Sequence, residues 1–250
     1  MKPKGFAVAA PVAALAFGAA LAGYAAEGTQ WAYEGPKGPE HWSEIKSEFA
    51  ACGAGREQSP IDLQRTHAAE PEKIEISWQA FEPEVVNNGH TIQANAPAGS
   101  YTAFDGKRYD LLQLHFHHKS EHTLDGEQLP MEAHFVHKSA EGDLLVLGVF
   151  LVPGRTNGAL ETILDSAPQS RGSQSAEAAV DLRSLVPDDS AIFRYAGSLT
   201  TPPCSEIVSW IIYDRPVEVS PVQIAAFARL YPNNFRPTQP TNRRFVLFGF

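Results

Sequence analysis

QLHFHHKSEHTLDGEQLPMEAHFVH, residues 113–137, is the stretch that decides how this chain folds. Side chains alternate across a strand, so His115 and His117 share one face with Gln113, while Leu114 and Phe116 share the other. That is the pattern of a half-buried strand. The second histidine segment, MEAHFVH, alternates likewise: Glu132, His134 and Val136 lie on one face, and Ala133, Phe135 and His137 on the other. Laid side by side, two such strands bring three imidazoles together. Three neutral histidines leave a tetrahedral zinc one open position, the arrangement of a catalytic rather than a structural site. Each ligating ring needs an acceptor on its remaining nitrogen to fix the tautomer. Gln113 can serve His115, and Glu132 can serve His134. A two-histidine, one-carboxylate iron site is the competing metal chemistry, with Glu121 or Glu132 completing it. His118 and His137 point away from the ligand face, and His122 follows Glu121 in a position suited to structural hydrogen bonds. His41 and His67 fall in loops with no partner visible.

Outward from that stretch, the chain reads as mainly β. Short strands are expected over Ile74–Trp78, Glu84–Asn88 and His90–Asn95, with Asn88-Gly89 as the turn between the last two. The histidine strands run over Arg108–His118 and Gln128–Lys138. Leu144–Val152 is a continuous apolar run, as in a central strand covered on both faces, and Ile207–Tyr213 is a further apolar strand. Short helices are expected over His41–Phe49, Ala159–Asp165 and Ala176–Leu182. The clearest helix begins at Ser220-Pro221, where serine caps free amides and proline fits the first turn, and stops at Pro232. The stretch from Arg155 through Arg171 to Ser175 reads as variable loops. Of 250 residues, 43% are hydrophobic, which is ample for one large core, and no linker divides the chain.

The N-terminus is a different kind of segment. Lys2 and Lys4 precede an alanine-rich apolar run from Gly5 to Leu21, and Ala20-Leu21-Ala22 is a small-x-small cleavage site. Residues 1–22 therefore read as a secretory signal peptide, with a second cleavage option as late as residue 26. The run is too weakly apolar for a stable anchor, so no membrane insertion is expected after leader removal. Losing two lysines and no acids takes the net charge from −9 to −11. With no basic stripe, nucleic acid is excluded as a partner. Cys52 and Cys204 both lie in the exported part, where a disulfide is the default and two buried free thiols the alternative. Such a bridge closes a long loop, worth about 4 to 5 kcal/mol on the chain-entropy account.

Six motifs, in order along the chain, carry a family resemblance. They are QSPIDL (58–63), NNGH (87–90), QLHFH (113–117), SEH (120–122), EAHFVH (132–137) and GSLTTPPC (197–204). Together they resemble the α-class carbonic anhydrases, from about Trp31 to Phe250. The resemblance implies a single domain over 23–250 built on a large twisted, mostly antiparallel mixed sheet of about ten strands with short peripheral helices. It implies one Zn2+ per chain on His115, His117 and His134, with His117 braced by a backbone carbonyl near Asn242. The implied reaction is reversible hydration of carbon dioxide to bicarbonate and a proton, by attack of zinc-bound hydroxide. Thr200 would orient the nucleophile, and Glu121 would accept the threonine hydroxyl. An apolar wall of Val136, Val146, Leu199, Val208 and Trp210, with Thr201 beside it, would hold carbon dioxide. His90 would be an exposed, mobile proton shuttle, with Tyr33, Asn88 and Gln93 ordering the relay waters. The resemblance also implies a Cys52–Cys204 disulfide, a periplasmic or secreted location, and a monomer or homodimer. The alternative within the same family is a catalytically silent binding module, and a metal-storage role suits a single site with an apolar wall poorly.

Overall fold

The computed structural model describes residues 31–70 and 73–249. The leader expected at residues 1–22, with its later cleavage option, lies outside them. Among the described residues, twelve strands form one large mixed sheet. Its main path runs Gly172–Ser175, Glu84–Asn87, Ile92–Asn95, Lys107–His117, Met131–Ser139, Leu144–Pro153, Val208–Val219, Ile192–Gly197, Leu247–Gly249 and His67–Ala68. Glu75–Ser77 and Tyr101–Phe104 pair off this path, the latter onto Lys107–His117. Most pairs are antiparallel. Two are parallel: Leu144–Pro153 with Val208–Val219, and Leu247–Gly249 with His67–Ala68. The expected fold class is the observed one.

The continuous apolar run at 144–152 is covered on both faces. Leu145, Leu147, Val149 and Leu151 enter the larger core with Leu114, Phe116 and Phe135. Val146 and Phe150 enter a second core with Phe193, Val208, Trp210 and Ile212 on the opposite face. Full burial of each such side chain contributes about 1.5–3 kcal/mol. A one-residue slip would send every one of them to the wrong core, so the register is strongly specified. Two helices, Gly158–Asp165 and Pro221–Leu230, close the larger core with Leu160, Ile163 and Phe227. Ser220 Oγ accepts from Gln223 N while Gln223 Oε1 accepts from Ser220 N, a reciprocal cap.

Three expectations need correction. Ala176–Leu182 is not a helix. Phe81 and Val180 exchange two backbone hydrogen bonds, which a helix would need for itself, and only a short 3-10 turn follows at Leu182–Leu185. The segment from His41 to Phe49 is broken, because Lys46 is extended at φ −150°, ψ 151° between two short turns. Gly172–Ser175, read as variable loop, is an edge strand paired with Glu84–Asn87. All four of its residues are exposed, so no apolar alternation could announce it.

Candidate metal centre

The two histidine strands are antiparallel neighbours, with His134 directly opposite His115 and Glu132 opposite His117. That register puts the three rings together: centroids are 5.0 Å apart for His115–His117, 5.2 Å for His115–His134 and 4.6 Å for His117–His134. One nitrogen of each ring faces inward, and these atoms all lie within 4.8 Å of one another.

The outward nitrogens fix the tautomers. His115 Nδ1 donates to Gln113 Oε1 at 2.9 Å, His117 Nδ1 to Asn234 O at 2.7 Å, and His134 Nε2 to Glu132 Oε1 at 2.8 Å. The inward atoms are therefore lone pairs on His115 Nε2, His117 Nε2 and His134 Nδ1. Burial, reinforced by the neighbouring imidazoles, drives His115 well below the usual histidine range; burial and His134 take His117 to about 3. Neutral rings are what metal ligation requires. The carbonyl behind His117 corrects the expectation at Asn242. The chain crosses the site at 234–236, whereas Asn242 lies exposed and donates to Arg56 O at 2.7 Å.

Glu132 is fully buried and accepts four hydrogen bonds. Glu121 N and His122 N reach Oε2 at 2.9 Å each, while His122 Nδ1 at 2.7 Å and His134 Nε2 at 2.8 Å reach Oε1. Burial opposes its ionisation, yet His122 and His134 hold its carboxyl well below the usual range. These bonds also explain the proximity of His122, Glu132 and His134, which form a hydrogen-bonded chain rather than a second metal set. Gly148 stands opposite His134, and a Cβ there would lie 3.0 Å from Glu132 Oε1 and 2.4 Å from Ile212 Cδ1. Glycine leaves the room that the carboxylate occupies.

Glu121 is buried beneath the histidines, its Oε1 accepting from Arg236 N at 2.8 Å. Its Oε2 lies 3.4 Å from His117 Nε2 and 3.9 Å from His134 Nδ1. Both Glu121 Oε2 and His117 Nε2 are buried without a hydrogen-bond partner. Facing acceptors of this kind repel unless a proton or a cation lies between them, and the three inward lone pairs make a donor set that fits a metal ion. Burial raises the Glu121 carboxyl to about 7, against the lowering effects of His134, the adjacent Thr200 hydroxyl and the Arg236 amide.

Thr200 is itself buried, in the loop between Ile192–Gly197 and Val208–Val219. Trp210 Nε1 donates to Ser198 O at 3.0 Å and Leu199 N to Ser205 O at 3.1 Å, which hold the loop in place. The Cys52–Cys204 disulfide anchors its far end. Arg236, which the sequence reading missed, is fully buried and joins both sides: its Nη1 donates to Gln58 Oε1 and Ser59 O, its Nη2 to Cys52 O. Only burial distinguishes it from a surface arginine, and burial is not visible in the residue's own sequence neighbourhood. Val146, Val208 and Trp210 are buried in the core beside the histidines, with Val136 and Leu199 half-buried against it and Thr201 half-buried in the loop.

His90 differs from the exposed, mobile ring expected. It is half-buried and stacked on Trp31, with centroids 3.7 Å apart and planes 11° from parallel. Burial, then the charge of Arg171, lowers it to about 4. Tyr33 stands edge-on to it at 6.4 Å. Asn88 Oδ1 accepts from His90 N at 2.9 Å and Thr91 N at 3.0 Å, which shapes the turn. Gln93 pairs across the sheet with His115, and its Nε2 donates to Asn95 Oδ1 at 2.6 Å. His118 turns away from the site, with Nδ1 donating to Pro232 O at 2.6 Å.

Residues 37–250 match the family of eukaryotic-type carbonic anhydrases. A carbonic anhydrase of Nostoc sp. is 43% identical over 229 residues, covering 89% of this chain and 87% of that one. The α-carbonic anhydrase of Thermovibrio ammonificans, solved with the inhibitor sulfanilamide, superposes with a TM-score of 0.83 at 41% identity, covering 87% of this chain and 98% of that one. A dioscorin solved with ascorbate gives a TM-score of 0.81 at 33% identity, covering 87% and 97%.

Proposed function

Since this chain belongs to the eukaryotic-type carbonic anhydrase family, we propose that it binds one zinc ion on His115, His117 and His134 and interconverts carbon dioxide and bicarbonate. The observation that carries this reading is the tautomer set: three separate acceptors turn one lone pair of each ring inward. When bound there, zinc lowers the pKa of a coordinated water to about 7, as is general for carbonic anhydrases, and so supplies a nucleophile at neutral pH. The chain's own residues do the rest. Glu121, fixed by the Arg236 amide, accepts from the Thr200 hydroxyl and leaves its oxygen as an acceptor toward the site. Val136, Val146, Leu199, Val208 and Trp210 give carbon dioxide an apolar wall, with Thr201 at its polar margin.

His90 carries the released proton outward, with Tyr33, Asn88 and Gln93 lining the path. Stacked on Trp31 and lowered to about 4, the ring is a weak acceptor for a proton released near pH 7, so the relay works best when the ring leaves that stack. The kinship to dioscorins keeps a binding role as the second reading, and the complete histidine triad favours the enzyme. The leader-like N-terminus, the disulfide and the bacterial relatives support a periplasmic or secreted location.

Stopped-flow carbon dioxide hydration on zinc-loaded protein tests the assignment, with His90→Ala alongside. Fast hydration by the native protein and slow hydration by His90→Ala, restored in part by imidazole, is the expected result. A folded, zinc-loaded native protein without activity overturns it.

A further inference from the structure

The edge strand Gly172–Ser175 is docked on the turn that carries His90. Gly172 is in register with Asn87, and Asn87 Nδ2 donates to Pro168 O at 2.8 Å. Arg171, one residue before the strand, is thereby held over the Asn88-Gly89 turn. Its guanidinium fills the space that a side chain at Gly89 would need: a Cβ there would lie 2.2 Å from Arg171 Nε and 2.6 Å from Nη2. Gly89 also has φ +87°, so glycine serves both the turn and the close approach. The next residue is His90, with Trp31 against its ring. Tyr33 and Tyr231 are titratable neighbours in this cluster, and burial raises both, so they stay neutral. Arg171 is the charge that acts on the imidazole, adding to burial in disfavouring imidazolium.

We propose that Arg171 makes the proton exit selective for anionic buffer bases, acting as a positioning residue that draws an oxyanion to His90. This rests on the reading of His90 as the shuttle. In the transfer, an N–H bond of the His90 imidazolium breaks and an O–H bond forms on the base, so a phosphate dianion leaves as a monoanion and the ring returns to neutral. A cation beside the ring attracts the incoming anion and weakens the hold on the proton. A neutral base becomes a cation as it accepts, and Arg171 opposes it. The chain's net charge of −9 repels anions at long range. Beyond about 8 Å that repulsion is largely screened at physiological ionic strength, so the local arginine decides the encounter.

The test is buffer-limited carbon dioxide hydration by the zinc-loaded full-length enzyme, in inorganic phosphate and in imidazole, at one near-neutral pH and ionic strength. Arg171→Gln should lower the phosphate-to-imidazole ratio of turnover by about threefold, and Arg171→Glu by more. Arg171→Lys should restore the ratio, and added salt should erode it in the native enzyme. An unchanged ratio in Arg171→Gln, or an equal loss in both buffers that lysine does not rescue, would overturn the proposal. His90→Ala in the same buffers separates the two claims. Undiminished turnover of His90→Ala in phosphate, where no imidazole can stand in for the ring, removes the shuttle itself, whereas an intact shuttle with an unchanged ratio in Arg171→Gln removes only the role of Arg171.

Discussion

Replacing Glu132 by glutamine should weaken metal binding by about 10- to 100-fold while leaving the fold in place. Four donors converge on this carboxylate, two on each oxygen. An amide can accept at one end only. If its NH2 group faces the Glu121 and His122 amides, donors oppose donors. If it faces the rings, His134 must offer a lone pair at Nε2 and move its proton to Nδ1, the inward atom. Either way bonds to an ionised acceptor are lost, at about 1.5–3 kcal/mol each. The share that falls on His134 converts, at about 1.4 kcal/mol per decade, to the 10- to 100-fold range. Competition with a calibrated chelator measures the affinity, and circular dichroism checks the fold. An affinity within about twofold of native in a folded Glu132→Gln protein would refute the claim that this carboxylate sets the His134 tautomer.

Other outcomes follow from the same geometry. Cys52→Ser/Cys204→Ser removes a crosslink across 152 residues, worth about 5 kcal/mol on the loop-entropy account, and should lower Tm by roughly 10 °C; a shift under about 2 °C in calorimetry would contradict that account. Activity at 25 °C should persist, because Arg236 and Gln58 still join the carbonyls of both cysteine positions. Thr200→Ala should cut hydration by about a hundredfold with zinc content unchanged, since an orienting group is lost and no ligand is; near-native kcat/KM would count against the Thr200–Glu121 assignment. His137 is buried, with Nδ1 donating to Phe135 O and Nε2 accepting from Thr102 Oγ1, and burial lowers it to about 4. As pH falls from about 6.5 to 4, the unfolded chain takes up this proton before the native one does, so stability drops by about 3 kcal/mol across that window. In His137→Gln the decline in urea midpoint over the same window should be shallower, and an identical decline would rule out His137 as its source.

The site was legible in the sequence wherever strand alternation carried it. His115, His117 and His134, with Gln113 and Glu132 two residues from a histidine of the cluster, needed only the period of two to fall on one face. The pairing register then did the rest, and one buried face specifies that register. Asn234 was not legible, because the group that matters is a backbone carbonyl and any residue can supply one. The family resemblance implies a backbone carbonyl near Asn242 instead, a residue of the same C-terminal segment that lies at the surface. Arg236 and Arg171 were invisible for a related reason: each acts where the chain returns from far away in sequence. His90 was found by its motif, but its burial depends on Trp31, nearly sixty residues earlier, which no local pattern reveals. In the fold, apolar runs such as 144–152 declared themselves, while the exposed strand at Gly172–Ser175 had no apolar face to show.

The most direct test of the three-histidine zinc site is a zinc titration of metal-free protein, read by carbon dioxide hydration. Activity should be absent without metal and rise linearly to a break at one equivalent. The same titration of His117→Ala should show no such break. Hydration that is independent of added zinc, or a native protein holding one equivalent without activity, would contradict the account.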